Sequence, residues 1–163
     1  MNSQNDLNIG SAVLLLSKIF IYATKDLTPG IDVFISGFDK YFQEGSIDLQ
    51  TTSVEAICEL LSENLGKKNT KKFKDLIFYI LKTILKCLEA NDADNLKINL
   101  FALSNLSQFQ SAMLKKNFSD LTILMSKIID NKELDEDQNL REVAFEIIVS
   151  VIEGHHDVIS KYQ

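Results

Sequence analysis

The only imidazoles in the chain are His155 and His156, which adjoin Asp157 and lie close to Glu153. Imidazole beside carboxylate is the raw material of metal binding and of acid–base chemistry. Adjacent histidines, however, point in different directions on a helix, and neither cysteine is near them in sequence. The group therefore reads as a solvated helix end. HExxH, a phosphate-cradling glycine loop, GxSxG and CxxC are all absent from the sequence. Serines and carboxylates are plentiful but lack a basic partner at a spacing that would activate a nucleophile. No catalysis, metal or cofactor is expected.

Charge clusters are the next candidates. The run "KKNTKKFK", Lys67–Lys74, could meet an acidic partner or a nucleic acid. A solvated loop and helix start explains it as well, although lysines at a helix N-terminus oppose the macrodipole. Phe78 and Tyr79 are expected too deep in the following helix to stack on bases. The acidic run "NKELDEDQNL" holds Glu133, Asp135, Glu136 and Asp137. Carboxylates at a helix start complement the dipole; attraction of a basic partner is the second reading.

These residues need elements to place them. The chain has 163 residues and is 45% hydrophobic and 25% charged, which allows one domain with a sizeable core. One proline and six glycines are few for a sheet protein of this size, so long helices are favoured. The net charge of −6 argues against nucleic acid as the default partner. Cys58 and Cys87 lie in apolar stretches and read as reduced core thiols. The N-terminus lacks a basic signal-peptide region, and the apolar run Ala12–Leu16 is too short to span a bilayer, so a soluble, unsecreted protein is expected.

Apolar spacing of three and four predicts helices over 8–25, 29–44, 48–65, 70–90, 94–111, 119–130 and 137–153, with a short stretch at 155–162. Thr28 and Pro29 start the second, and Gly45 and Gly66 follow helices that must turn. Asn69 or Thr70, and Ser119, are the expected N-caps. Alternate helices begin alike: "DLNIGSAVLLL" from Asp6, "DLQTTSVEAICELL" from Asp48, "NLKINLFALSNL" from Asn95 and "NLREVAFEIIVSVI" from Asn139. Their leucines at 7, 49, 96 and 140 recur with the two-helix period of HEAT or armadillo arrays. The fold class expected is all-α, an α-solenoid of antiparallel helix pairs. About three and a half repeats would cover 6–45, 46–91, 92–131 and an incomplete 135–163. Helix 70–90 supports this, because Phe73, Leu76, Ile77, Ile80, Leu81, Ile84 and Leu88 give it an arc wider than one neighbour needs. The apolar final helix is expected to belong to a longer array.

"LREVAFEIIVSVIEGHHDVISKY" resembles a helix of the importin-β (karyopherin-β) nuclear transport receptors, in particular their importin β-3 branch. The stretch from Asn91 to Leu140 is similar to the repeat before it in that branch. The resemblance is good over 91–163 and colinear but weaker over 1–90. It implies a superhelix of HEAT repeats with A helices outside and B helices lining a concave face. It also implies a non-enzymatic receptor that moves between cytoplasm and nucleus through the nuclear envelope. Cargo and the GTPase Ran would bind the concave side, and FG nucleoporins would bind between outer helices. No Ran-contacting residue is carried over.

On that plan the concave face would show Asp32, Ser36, Asp39 and Gln43 from helix 29–44, an acidic stripe suited to a basic cargo segment. Helix 70–90 would add Lys71, Asp75, Lys82, Lys86 and Glu89, mostly basic, and helix 119–130 would add Thr122, Lys127 and Asp130. This mixture departs from a uniformly acidic groove. A HEAT scaffold or adaptor without transport function is the alternative, and RNA binding through Lys67–Lys74 is a remote third. Neither nucleic acid nor membrane is expected as a partner.

Overall fold

Four helices begin with the Asp-Leu or Asn-Leu signature, and in the computed structural model they form one layer. The structure describes residues 3–22, 30–63, 67–132, 134 and 139–154. In chain order the α-helices are α1 (Ser3–Tyr22), α2 (Ile31–Glu44), α3 (Ile47–Ser62), α4 (Lys67–Lys72), α5 (Leu76–Glu89), α6 (Ala93–Gln110), α7 (Phe118–Asp130) and α8 (Leu140–Glu153). Two 3₁₀ turns, Ser111–Met113 and Lys115–Asn117, join α6 to α7. The described residues contain no strand.

Packing sorts the helices into two layers. In the first, α1 lies on α3, α3 on α6 and α6 on α8; in the second, α2 lies on α5 and α5 on α7. Between layers, α2 packs on α3, α5 on both α3 and α6, and α7 on α8. This is the nearest-neighbour stacking of an α-solenoid. The first layer holds the A helices and the second the B helices. The A-helix N-caps Ser46, Asp92 and Asn139 stand 46 and 47 residues apart, in keeping with the sequence period.

The repeated Asp or Asn has a structural cause. The Asp6 Oδ2 of α1 accepts a hydrogen bond from the backbone N–H of Ser46 at 3.2 Å, just before α3. The Asp48 Oδ1 of α3 accepts one from the Asn95 Nδ2 of α6 at 3.0 Å. The first turn of one A helix is thus tied to the start of the next. Local caps sharpen the same ends: Ser46 Oγ accepts from Leu49 N–H, and Asp92 Oδ1 accepts from Asn95 N–H.

α3 shows what a middle helix must do. Leu49, Val54, Ile57, Leu60 and Leu61 are buried, and so are Gln50, Thr51 and Ser53, because α1, α2, α5 and α6 all press on it. The buried Ser53 hydroxyl donates to the Leu49 carbonyl at 2.8 Å, so it brings no unpaired donor into the core. A larger polar group joins three helices. Asn99 of α6 is fully buried, and its Nδ2 donates to Thr51 Oγ1 of α3 (3.0 Å), to its own helix at the Asn95 carbonyl (2.8 Å) and toward Cys87 Sγ of α5 (3.4 Å). Its Oδ1 has no partner among the described residues.

The core cluster runs without a break from Val13 in α1 to Val151 in α8. All seven apolar residues of the wide arc expected on helix 70–90 are buried in it. That helix is nevertheless broken. Phe73, Lys74 and Asp75 form tight turns, with N–H to carbonyl bonds from Phe73 to Thr70, Lys74 to Lys71 and Leu76 to Phe73. The short α4 and the long α5 result, with Phe73 only 1% exposed between them. Asp75 stands at the N-cap of α5, not Asn69 or Thr70, and Asn117 rather than Ser119 stands at that of α7.

Gly45 ends α2 with φ −75° and ψ 157°, an extended conformation open to any residue. Its need for glycine is steric. A Cβ there would sit 2.5 Å from the Tyr41 carbonyl oxygen and 3.1 Å from Leu49 Cδ2. Thr28, Pro29, Gly66 and the stretch 155–162, with His155 and His156, lie outside the described residues.

Candidate functional site

The two solvent faces of the array carry different chemistry. On α2, helical spacing places Asp32, Ser36, Asp39 and Gln43 on one flank, the flank toward α5. Their polar groups are already engaged nearby. Lys72 Nζ meets both Asp32 carboxylate oxygens, at 2.7 and 2.8 Å. Ser36 Oγ donates to the Asp32 carbonyl, and Gln43 Nε2 donates to Asp39 Oδ2 at 2.9 Å. Below this stripe Phe42 stacks on Tyr79 of α5, with centroids 5.5 Å apart and planes within 6°.

The stripe expected on one helix from Lys71 to Lys86 is divided by the turns at 73–75. Lys71 belongs to α4 and is exposed; Asp75 stands at the start of α5, makes no side-chain cap and lies 3.7 Å from Lys116. Lys86 Nζ donates to Gln50 Oε1 of α3 at 2.9 Å. Lys82 alone of the four lines a groove. Glu133, Asp135, Glu136 and Asp137 lie outside the described residues.

That groove runs between the B helices α5 and α7 and has a volume of about 330 Å³. Phe78, Leu81 and Leu85 of α5 and Ile123 and Leu124 of α7 supply apolar wall; Lys82, Lys127 and Asp120 supply charge. Phe78 is 54% exposed and Ile123 57%. Phe78 is therefore not deep in its helix, contrary to the expectation from sequence: α5 starts only at Leu76, so Phe78 sits in its first turn, turned away from the core. Tyr79 is half-buried against Phe42. The signal that could have found the groove was the pairing of an apolar residue with a lysine four positions on, Phe78 with Lys82 and Ile123 with Lys127, on two B helices. Beside its lower end, Lys74, Lys115 and Lys116 ring a hollow of about 210 Å³ with Ala112 and Met113.

The A layer presents a different face. Ile98, Phe101 and Phe109 of α6 and Phe145 of α8 are exposed, on the sides of these helices away from the B layer. Phe145 is 60% exposed and Phe109 65%. The remaining candidates are inward. Cys58 and Cys87 are free and buried. Burial pushes the Cys58 thiol far above its ordinary range. Burial also pushes Cys87 up to about 11, aided by the Asp92 charge and opposed by hydrogen bonds from Thr51 and Asn99. Neither is a reactive thiolate near neutral pH. Among the described residues no three His, Cys, Asp or Glu side chains gather closely enough to hold a metal ion, and no helix is long and apolar enough to cross a membrane.

The arrangement suits side-chain docking over extended helical faces. The model of the family described as "IPO5-like, TPR repeats" matches residues 1–124. The matched span takes in α1 to α6 and the first half of α7, so α8, where the sequence resemblance is strongest, lies beyond it. Comparison with curated proteins and with solved structures gives no match. The observed helix-pair period of 46 to 47 residues is that of HEAT-type pairs. With three-quarters of its length matched and every described element helical, this chain belongs to the IPO5-like repeat family and is a helical-repeat segment of the importin-β type.

Proposed function

We propose that the chain is part of a nuclear transport receptor and works by binding proteins, without catalysing a reaction. As part of a longer superhelix it contributes to holding protein cargo, to release by the GTPase Ran and to passage along FG nucleoporins, cycling between cytoplasm and nucleus through the nuclear envelope. The observation that carries this reading is the exposed apolar series Ile98, Phe101, Phe109 and Phe145 on the A layer of an importin-type array. Solvent-facing phenylalanines between stacked helices offer shallow apolar seats for the phenylalanines of FG repeats. Membrane and nucleic acid have no place in this reading.

One observation favours the scaffold alternative. The acidic stripe of α2, which a basic cargo segment would need, has Asp32 already neutralised by Lys72. A segment of this kind would serve as a curved spacer between binding regions. The two readings separate in a pull-down from cell extract with and without Ran loaded with GTP. Partners released by Ran-GTP, together with recovered nucleoporins, support the receptor. Partners indifferent to Ran-GTP, with no nucleoporins, support the scaffold and reject the receptor.

A further inference from the structure

We propose that the groove between α5 and α7 is a docking site for an acidic peptide segment that inserts one aromatic or branched apolar side chain. The proposal rests on the protein-binding reading above but concerns the opposite face of the array from the apolar A-layer series, and a partner of different charge.

The groove floor is apolar where a B layer could have been wholly polar. Phe78 and Ile123 project from facing helices with more than half their surface in water, over Leu81, Leu85 and Leu124. About 330 Å³ is within the range of sites that enclose a ligand group. Charge selects the occupant. Lys82 and Lys127 both line the groove, and no ion pair among the described residues engages either. Lysines elsewhere on this layer are differently placed: Lys72 is committed to Asp32 and Lys86 to Gln50. Lys74 and Lys115 continue the basic surface beyond the N-terminal ends of α5 and α7. A local excess of cations on a chain of net charge −6 is a place where an acidic segment gains attraction that the net charge as a whole denies it. Asp120, in the first turn of α7, is the one carboxylate lining the groove and leaves it with more cations than anions. A nucleic acid would also want stacking platforms in series, whereas Phe78 is the single aromatic side chain in the groove.

The test uses the whole chain and fluorescently labelled short peptides in anisotropy titrations. One has a phenylalanine between glutamates, one has alanine in place of that phenylalanine, one has lysines in place of the glutamates, and one is a neutral FG-repeat peptide. The glutamate–phenylalanine peptide is expected to bind at least about tenfold more tightly than the alanine and lysine versions, and to weaken on raising salt from about 50 to about 300 mM. The double variant Lys82→Glu/Lys127→Glu and the single variant Ile123→Ser should each lower its affinity by about tenfold while leaving FG binding unchanged. All three positions are exposed, so thermal melts should match the parent chain. The proposal is overturned if the acidic peptide shows no preference, or if both variants bind it as the parent does. FG binding without acidic-peptide binding rejects the groove and spares the receptor reading; binding of neither rejects both. Salt-sensitive RNA binding abolished by the lysine double variant, without peptide binding, assigns the groove to nucleic acid instead. A dimer in sedimentation that Ile123→Ser dissociates assigns it to a second copy.

Discussion

Replacing Asn99 tests whether the buried amide that joins α3, α5 and α6 stabilises the array as its geometry requires. The amide has two N–H donors spread over three acceptors at 2.8, 3.0 and 3.4 Å. Two such hydrogen bonds contribute about 1 kcal/mol each, and the small void left by truncation adds to the loss. Against this, the unpartnered Oδ1 disappears with the side chain, which returns about 1 kcal/mol. Asn99→Ala should therefore cost about 1–3 kcal/mol in urea unfolding. Asn99→Asp probes the same spot with pH. The new carboxyl would be buried among acceptors, so its folded-state pKa rises above its unfolded value. A raised pKa means that stability is fully present below the unfolded value and is lost as pH rises through the folded one, by at most about 1.4 kcal/mol per pH unit. Unfolding of this variant followed from pH 5 to pH 8 should show a decline that Asn99→Ala lacks. Equal, flat profiles for the two variants would refute the argument, since a carboxylate that titrates freely is not in a sealed joint.

Other outcomes follow from the same structure. Gly45→Ala should destabilise by about 1–3 kcal/mol through its collision with the Tyr41 carbonyl and Leu49, measured by thermal melting; a neutral result would show that the turn after α2 shifts easily. Leu100→Ala, at a fully buried site, should cost about 2–5 kcal/mol in the same assay. Breaking the half-exposed Lys72–Asp32 pair with Lys72→Ala should cost under about 1 kcal/mol and less still in high salt, and a larger loss would mean that the pair orders α4. Cys87 should resist a thiol reagent in the native protein and react once unfolded. Because burial raises its pKa, its contribution to stability is complete below the ordinary thiol value of 9.0 and is lost as pH climbs toward about 11, which unfolding curves against pH would register.

The seven long helices were legible because period and burial coincide. The arc from Phe73 to Leu88 could be read directly, and its residues are all buried. The A-helix register was also legible, since Asp6, Asp48 and Asn95 recur for a physical reason: each takes part in a bond that joins the starts of neighbouring A helices. The break at 73–75 was not legible, because Phe73 fits the apolar arc whether or not the backbone continues as helix. The binding surfaces were half legible. Polar spacing found Lys82 and Lys127, but it favoured Asp32 and Lys86 equally, and only packing reveals that those two are occupied by Lys72 and Gln50. Phe78 and Ile123 were hidden for the opposite reason, since an apolar residue on an amphipathic helix is assigned to the core by default.

The bonds that tie helix to helix also set a timetable for synthesis. Asp6 meets Ser46, Asp32 meets Lys72, Gln50 meets Lys86, Asp48 meets Asn95 and Thr51 meets Asn99, so these links close over 36 to 48 residues. As the chain leaves the ribosome, each helix needs to wait for little more than one further repeat before its polar joints can form. A large array assembled this way can consolidate from its N-terminal side while the rest is still being translated, and the interval during which any one apolar face stays uncovered does not grow with the length of the array.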